Sequence, residues 1–174
     1  MTVVAKGADG RVLSGAVVSI TVAGAPRPQP RGTYTMSQQN IAFAPHVLIV
    51  PVGATVSFPN RDRVRHHAYS FSPAKRFELK LYGRDETKSV TFDRPGVAAI
   101  GCNIHDAMSA FVFVTTTPFV AITDGSGRVV IDGVPPGQVS LALWHPSIRA
   151  PNNSVSRPAI VAAGGLATEI APAR

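Results

Sequence analysis

The stretch GCNIHDAM, residues 101–108, decides how this chain is read. It holds the sole cysteine, Cys102, with His105 three positions further on and Met108 three beyond that. One cysteine allows no internal disulfide, so Cys102 is a buried free thiol, a reactive thiol or a metal ligand. Its surroundings favour the last. GVAAIGC (96–102) and MSAFVFVT (108–115) are strand-like and flank the motif as the arms of a hairpin would, which puts it on a tight loop.

A thiolate and an imidazole are two of the three strong ligands of a mononuclear copper site, and a distant thioether completes it. One more imidazole is needed. PNRDRVRHHAYSFS (59–72) supplies it, because His66 or His67 opens a strand after a polar loop. Thiolate and thioether favour Cu(I), whereas imidazole accepts both oxidation states. A geometry between their preferences lets the ion change charge with little movement. Taken singly, a buried cysteine is a small hydrophobe, a methionine is core filler and a histidine is a surface group. Taken together, spacing, strand context and an upstream histidine converge on one site. His46 and His145 have no partner pattern and are assigned no function.

Working outward, strand signals dominate. AVVSITV (16–22) alternates apolar and polar residues, the period of a half-buried strand. HVLIVPVGATVSF (46–58) reads as two apolar segments broken around Pro51 and Gly53, and HHAYSFS (66–72) and KSVTF (88–92) are further strands. Val139, Leu141 and Leu143 share one face, and a last pair of strands surrounds Gly164 and Gly165. The only helical candidates are short, at 83–88 or 105–109. Fifteen glycines and fifteen prolines imply many turns. The fold class is therefore all-β, with Greek-key or sandwich packing. Phe71, Phe77, Phe92, Phe111 and Phe113 are the aromatic core candidates.

VGATVSFPN (52–60), HHAYSFS (66–72), PGVAAIGCNIHDAM (95–108) and AFVFV (110–114) resemble the cupredoxins, the small blue-copper fold, over residues 33–117. The Cys102–His105–Met108 loop is of the short amicyanin kind. More narrowly, the segment from Phe58 to Tyr82 is similar to bacterial cupredoxin-domain proteins labelled methylamine-utilization-like. The resemblance implies a Greek-key sandwich holding one type 1 copper through His66, Cys102, His105 and Met108. It puts His67 where asparagine is common, a position whose backbone N–H is donated to the cysteine sulfur and whose side chain ties the ligand loops together. Here that side chain would reach Asn103. The implied role is one-electron transfer between redox partner proteins. His105 would be the exit route, and a patch of Ile104, Ala107 and Ala110 would face the partner. Copper transport or storage without electron transfer is the alternative.

The chain ends read differently. VAKGADGRVLSGAVVSI (4–20) and ITDGSGRVVIDGVPPGQVSLALWHP (122–146) resemble the carboxypeptidase-regulatory-like, transthyretin-like β-sandwich. The expected organisation is a sandwich from 1–24 with 119–174, interrupted by the copper domain at 33–117, with the Pro-rich segment APRPQPRG (25–32) as a linker. Insertion at a loop tip is mild because loop-closure cost grows slowly with length. The end segments carry no ligand cluster, no Ser/His/Asp ordering and no phosphate loop, so a scaffold or docking role is expected of them.

Of the formal charge of +7, +4 falls between Arg61 and Lys88, where eight cations stand against four acids. It reads as a solvated basic face or as steering toward an acidic partner. Nucleic acid is not expected, because no recognised binding motif accompanies the charge. No run of about 20 apolar residues crosses a membrane. Five histidines do not provide the additional histidine-rich motifs of a multicopper oxidase or nitrite reductase, so no enzyme is expected. Copper is scarce in the cytosol, where thiols compete for it. The expectation is an exported, periplasmic protein whose signal peptide is absent from this chain; the oligomeric state is not legible.

Overall fold

The computed structural model describes residues 1–173. The chain divides into two compact units, one formed by Met1–Arg27 with the chain from Thr117 onward, the other by Pro28–Thr116. Strands β1 (Thr2–Ala5) and β2 (Val17–Val22) open the end unit. The central unit carries β3 (Tyr34–Thr35), β4 (Ser37–Gln39), β5 (Ala42–Ala44), β6 (Val47–Pro51) and β7 (Ala54–Pro59). It continues with β8 (His66–Ser72), β9 (Lys75–Tyr82), β10 (Thr87–Phe92), β11 (Gly96–Gly101) and β12 (Ser109–Thr115). The end unit resumes with β13 (Phe119–Ile122), β14 (Arg128–Val130), β15 (Gly137–Trp144), β16 (Ser154–Val161) and β17 (Ala167–Ile170). The chain is all-β. Among the described residues the only helical element is a single 3₁₀ turn, Pro151–Asn153.

The two helical candidates are turns. Glu86 N–H donates to the Gly83 carbonyl at 3.3 Å, and β10 begins at Thr87. Met108 N–H donates to the His105 carbonyl at 2.9 Å, after which β12 begins. Neither segment has room for a second turn before its strand starts.

In the central unit, a five-stranded sheet runs β6-β12-β11-β8-β9 and a three-stranded one β10-β7-β3. Strands far apart in sequence are joined by the parallel pairs β6–β12 and β3–β7. Val56 and Phe58 of β7, Phe92 of β10, Ala68 of β8, Ile100 of β11 and Val112 and Val114 of β12 meet in one core. Fully burying a side chain such as Phe58 or Phe92 is worth about 1.5–3 kcal/mol. Phe92 is buried, Phe77, Phe111 and Phe113 are half-buried, and Phe71 is 75% exposed. Phe71 therefore corrects the core expected from sequence. On β8, Ala68 and Ser70 take the inward positions, and alternation turns Phe71 to solvent.

The end unit pairs β14-β1-β17 in one sheet and β13-β2-β15-β16 in another. Its core joins Val3, Val18, Ile20, Val129, Ile131, Leu141, Leu143, Val161 and Ile170. β16 and β17 surround Gly164 and Gly165 but lie in different sheets: β16 pairs with β15, while β17 runs parallel to β1.

Candidate metal centre

His66 opens β8. Its pairing with β9 slips by one residue, from His66 opposite Tyr82 to Ala68 opposite Leu79. Lys80 and Leu81 thus both stand against His67, a bulge of the kind that re-aims side chains. His66, His67 and Ala68 are consecutively buried. The His66 imidazole has no solvent exposure, and its Nε2–H donates to the Asp62 carboxylate at 2.8 Å. With the proton on Nε2, Nδ1 carries the lone pair.

Cys102 follows β11 directly and is buried. The β11–β12 ladder runs to the pair Gly101–Ser109, which clamps both ends of the 102–108 loop. The turn from His105 to Met108 lifts His105 to a half-exposed position and returns Met108 to the core cluster that also contains Cys102.

His66, Cys102 and His105 each offer a ligand atom, and these atoms lie within 4.8 Å of one another. The two imidazoles meet edge to face, with ring centroids 5.1 Å apart. Nδ1 of His66 and Nδ1 of His105 are both buried without a hydrogen-bond partner. A buried polar atom left bare costs about 1–3 kcal/mol. Two bare imidazole nitrogens beside a sheltered thiol make a soft and borderline donor set of the type that holds copper or zinc.

The supporting residues are polar, with Asn60, Tyr82 and Gln38 buried and Asp62 half-buried. Asn60 donates from Nδ2 to the carbonyls of Val64 at 2.9 Å and Tyr82 at 3.1 Å. The Tyr82 hydroxyl donates to the Phe58 carbonyl at 3.0 Å. Burial, followed by the nearby Cys102 sulfur, pushes its pKa well up, so Tyr82 remains a neutral donor. For Asp62, burial opposes the charge. The amide of Ile41, the His66 imidazole and the amide of Asn40 outweigh that opposition and hold its carboxyl below the ordinary range. Gln38 donates to the His67 carbonyl at 3.3 Å. Of these four residues, Asn60, Asp62 and Gln38 were not singled out from sequence. The legible signal was Asn60-x-Asp62, an Asx turn in which Asp62 N–H donates to Asn60 Oδ1 at 2.9 Å, four residues before the histidine.

The other predicted positions divide. His67 Nε2 meets Glu78 Oε1 at 3.0 Å while Nδ1 has no partner, so the side-chain tie from His67 to Asn103 does not form. The register slip sets His67 against β9, where Glu78 meets its Nε2. Asn103, Ile104 and Ala107 are exposed beside His105. Ala110 has no exposure and belongs to the core. It cannot face a partner, because alternation along β12 turns Ser109 outward and Ala110 inward.

No family model matches the chain, and no curated protein does. Solved structures similar to it include cupredoxins. A purple cupredoxin from Nitrosopumilus maritimus is 22% identical, with a TM-score of 0.43, over 47% of this chain and 99% of that one. An amicyanin variant in its oxidized state is 20% identical, with a TM-score of 0.46, over 59% of this chain and 100% of that one. A Cu-containing nitrite reductase from Thermus scotoductus SA-01 is 29% identical, with a TM-score of 0.47, over 56% of this chain and only 25% of that one.

Proposed function

We propose that this protein is a one-electron carrier built on a single type 1 copper site. His66 and His105, through Nδ1, and the Cys102 thiolate would be the strong ligands, with Met108 as the weak fourth donor. The observation that carries this reading is the meeting of the sole thiol with two imidazoles, their ligand atoms within 4.8 Å of one another and each ring with a buried, unpartnered Nδ1. Copper held there would supply a one-electron couple between Cu(I) and Cu(II).

The surrounding residues do the rest. Burial of Cys102 keeps oxidants and competing thiols from its sulfur. The half-exposed His105, with Ile104 and Ala107 beside it, offers the short way out for an electron. A small patch of this kind suits the brief encounters of redox partners. An exported, periplasm-like setting fits a thiolate–copper site. The end unit, read as a carboxypeptidase-regulatory-like sandwich, would be scaffold or docking surface.

The test is addition of Cu(II) to the purified apoprotein. An intense thiolate-to-copper band with narrow hyperfine splitting in the EPR spectrum, absent in Cys102→Ala, is the expected result. A pale spectrum unchanged by that substitution would overturn the reading.

A further inference from the structure

We propose that Asp62 is a positioning residue of the metal centre. Its carboxylate fixes the proton of His66 on Nε2, leaves the Nδ1 lone pair free beside Cys102 and His105, and by its negative charge favours the higher oxidation state of the bound ion. The second half of this statement rests on the copper reading above; the first does not.

The geometry is specific. Asp62 Oδ2 accepts from His66 Nε2 at 2.8 Å, and the Asp62 side chain is only 14% exposed. The carboxylate is itself held from several sides. Oδ1 accepts the Asn40 N–H at 2.7 Å and Oδ2 accepts the Ile41 N–H at 2.9 Å. Both donors have φ of 56°. That is a left-handed conformation which a β-branched residue such as Ile41 rarely adopts. Strain of this type, on the order of 1–3 kcal/mol per residue, persists only where the surroundings over-determine it. Asn40 and Ile41 are the two-residue turn of the β4–β5 hairpin, a connection that commonly takes positive φ at both positions, and the carboxylate braces that turn by accepting from both of its amides.

The backbone on the other side is equally fixed. Asp62 N–H donates to the buried Asn60, whose side chain is tied to Val64 and to Tyr82 on β9. Three exposed arginines flank Asp62 in sequence, yet its ion pair among the described residues is with His66. A carboxylate behind a ligating imidazole orients the ring and raises its basicity, and losing such a partner typically costs about 10–100-fold in metal affinity.

The test uses the full chain, first without metal. Nitrogen-15 NMR of the apoprotein in mildly alkaline buffer is expected to show His66 as the Nε2–H tautomer. In Asp62→Asn that preference should weaken, and in Asp62→Glu it should return. An Nδ1–H tautomer in the wild-type apoprotein overturns the proposal, and this measurement decides even if Asp62→Asn does not fold. With copper, Asp62→Asn should lose about 10–100-fold in Cu(II) affinity. Each tenfold loss not shared by Cu(I) raises the reduction potential by about 59 mV. A folded Asp62→Asn protein with wild-type potential would also overturn the proposal. If wild-type protein gives no type 1 spectrum, the copper reading fails, while the tautomer result still stands on its own.

Discussion

The phenol of Tyr69 lies where a side chain on Gly101 would begin: a Cβ at Gly101 would stand 2.8 Å from both Cζ and Oη of that ring. The two residues are cross-strand partners on β11 and β8, one position before Cys102. Gly101→Ala should therefore overpack the strand that delivers the thiol, at a cost of about 1–3 kcal/mol. Removing only the hydroxyl would leave the Cζ contact, so Tyr69→Phe should relieve little and Tyr69→Ala more. Urea unfolding followed on amide NMR signals of residues 28–116 gives the cost for each single variant and for Gly101→Ala with Tyr69→Ala. The double variant should cost less than the sum of the singles. Strict additivity would show that the ring and position 101 do not meet.

Adjacent histidines on one strand invite a choice, and the bulge at His67 makes it. His66 is the residue whose ligand atom groups with those of Cys102 and His105, while His67 is held by Glu78. His66→Ala should lower Cu(II) affinity by more than the roughly 10–100-fold typical of losing an outer partner. His67→Ala should keep the intense visible band. Equilibrium copper titration of the two variants checks both statements. The reverse order would move the site to the other imidazole.

The sequence made the fold class legible because β-branched runs and turn residues recur at strand spacing throughout. VVSITV becomes β2, with Val18 and Ile20 buried and Thr21 exposed, and AFVFV the body of β12, with Ala110, Val112 and Val114 buried. The loop from Cys102 to Met108 was legible because its donors are close in sequence. The residue pattern alone left His66 as one of two and only the family resemblance chose it, since choosing between neighbours on physical grounds requires the register slip between β8 and β9, a tertiary fact. Ala110 was misplaced because a small residue gives no hint of its face. Phe71 was misplaced for the opposite reason: large aromatics are assigned to the core by type, whereas alternation on β8 turns this one outward. Asp62 went unread because its partners, Asn40 and Ile41, come from another part of the chain.

Asp124 organises the turn between β13 and β14. Its Oδ1 accepts from the Ser126 hydroxyl at 2.6 Å, the Ser126 amide at 2.8 Å and the Arg128 amide at 3.0 Å. The Ser126 hydroxyl first, then the two amides, hold its carboxyl below the usual range. A folded value below the unfolded one, about 3.9, gives stability that is present above the unfolded value and lost as pH falls through the folded one. Asp124→Asn should thus be less stable than wild type at neutral pH, and the two should converge in acid. Trp144, the sole tryptophan, is buried in the end unit and reports its unfolding by fluorescence. A gap that stays constant down to strongly acidic pH would show that the carboxylate charge has no part in the turn.

Arg61, Arg63 and Arg65 are exposed on the loop whose Asp62 touches the His66 ring. None of the three is in an ion pair among the described residues. Unpaired cations next to the candidate metal centre raise the local concentration of anions, an effect worth about 10–10³-fold in association rate at low salt. Oxidation of the Cu(I) protein by ferricyanide, a small anion, should therefore be fast and should slow as salt shortens the screening length to about 8 Å at physiological ionic strength. Changing the three arginines together to glutamate should slow the reaction by about tenfold or more at low salt and reverse the sign of its salt dependence. Stopped-flow rates across a salt series read both effects, with the visible spectrum confirming that the centre is intact. An unchanged rate in the triple variant would place electron entry away from this loop and leave the arginines as a solvated face.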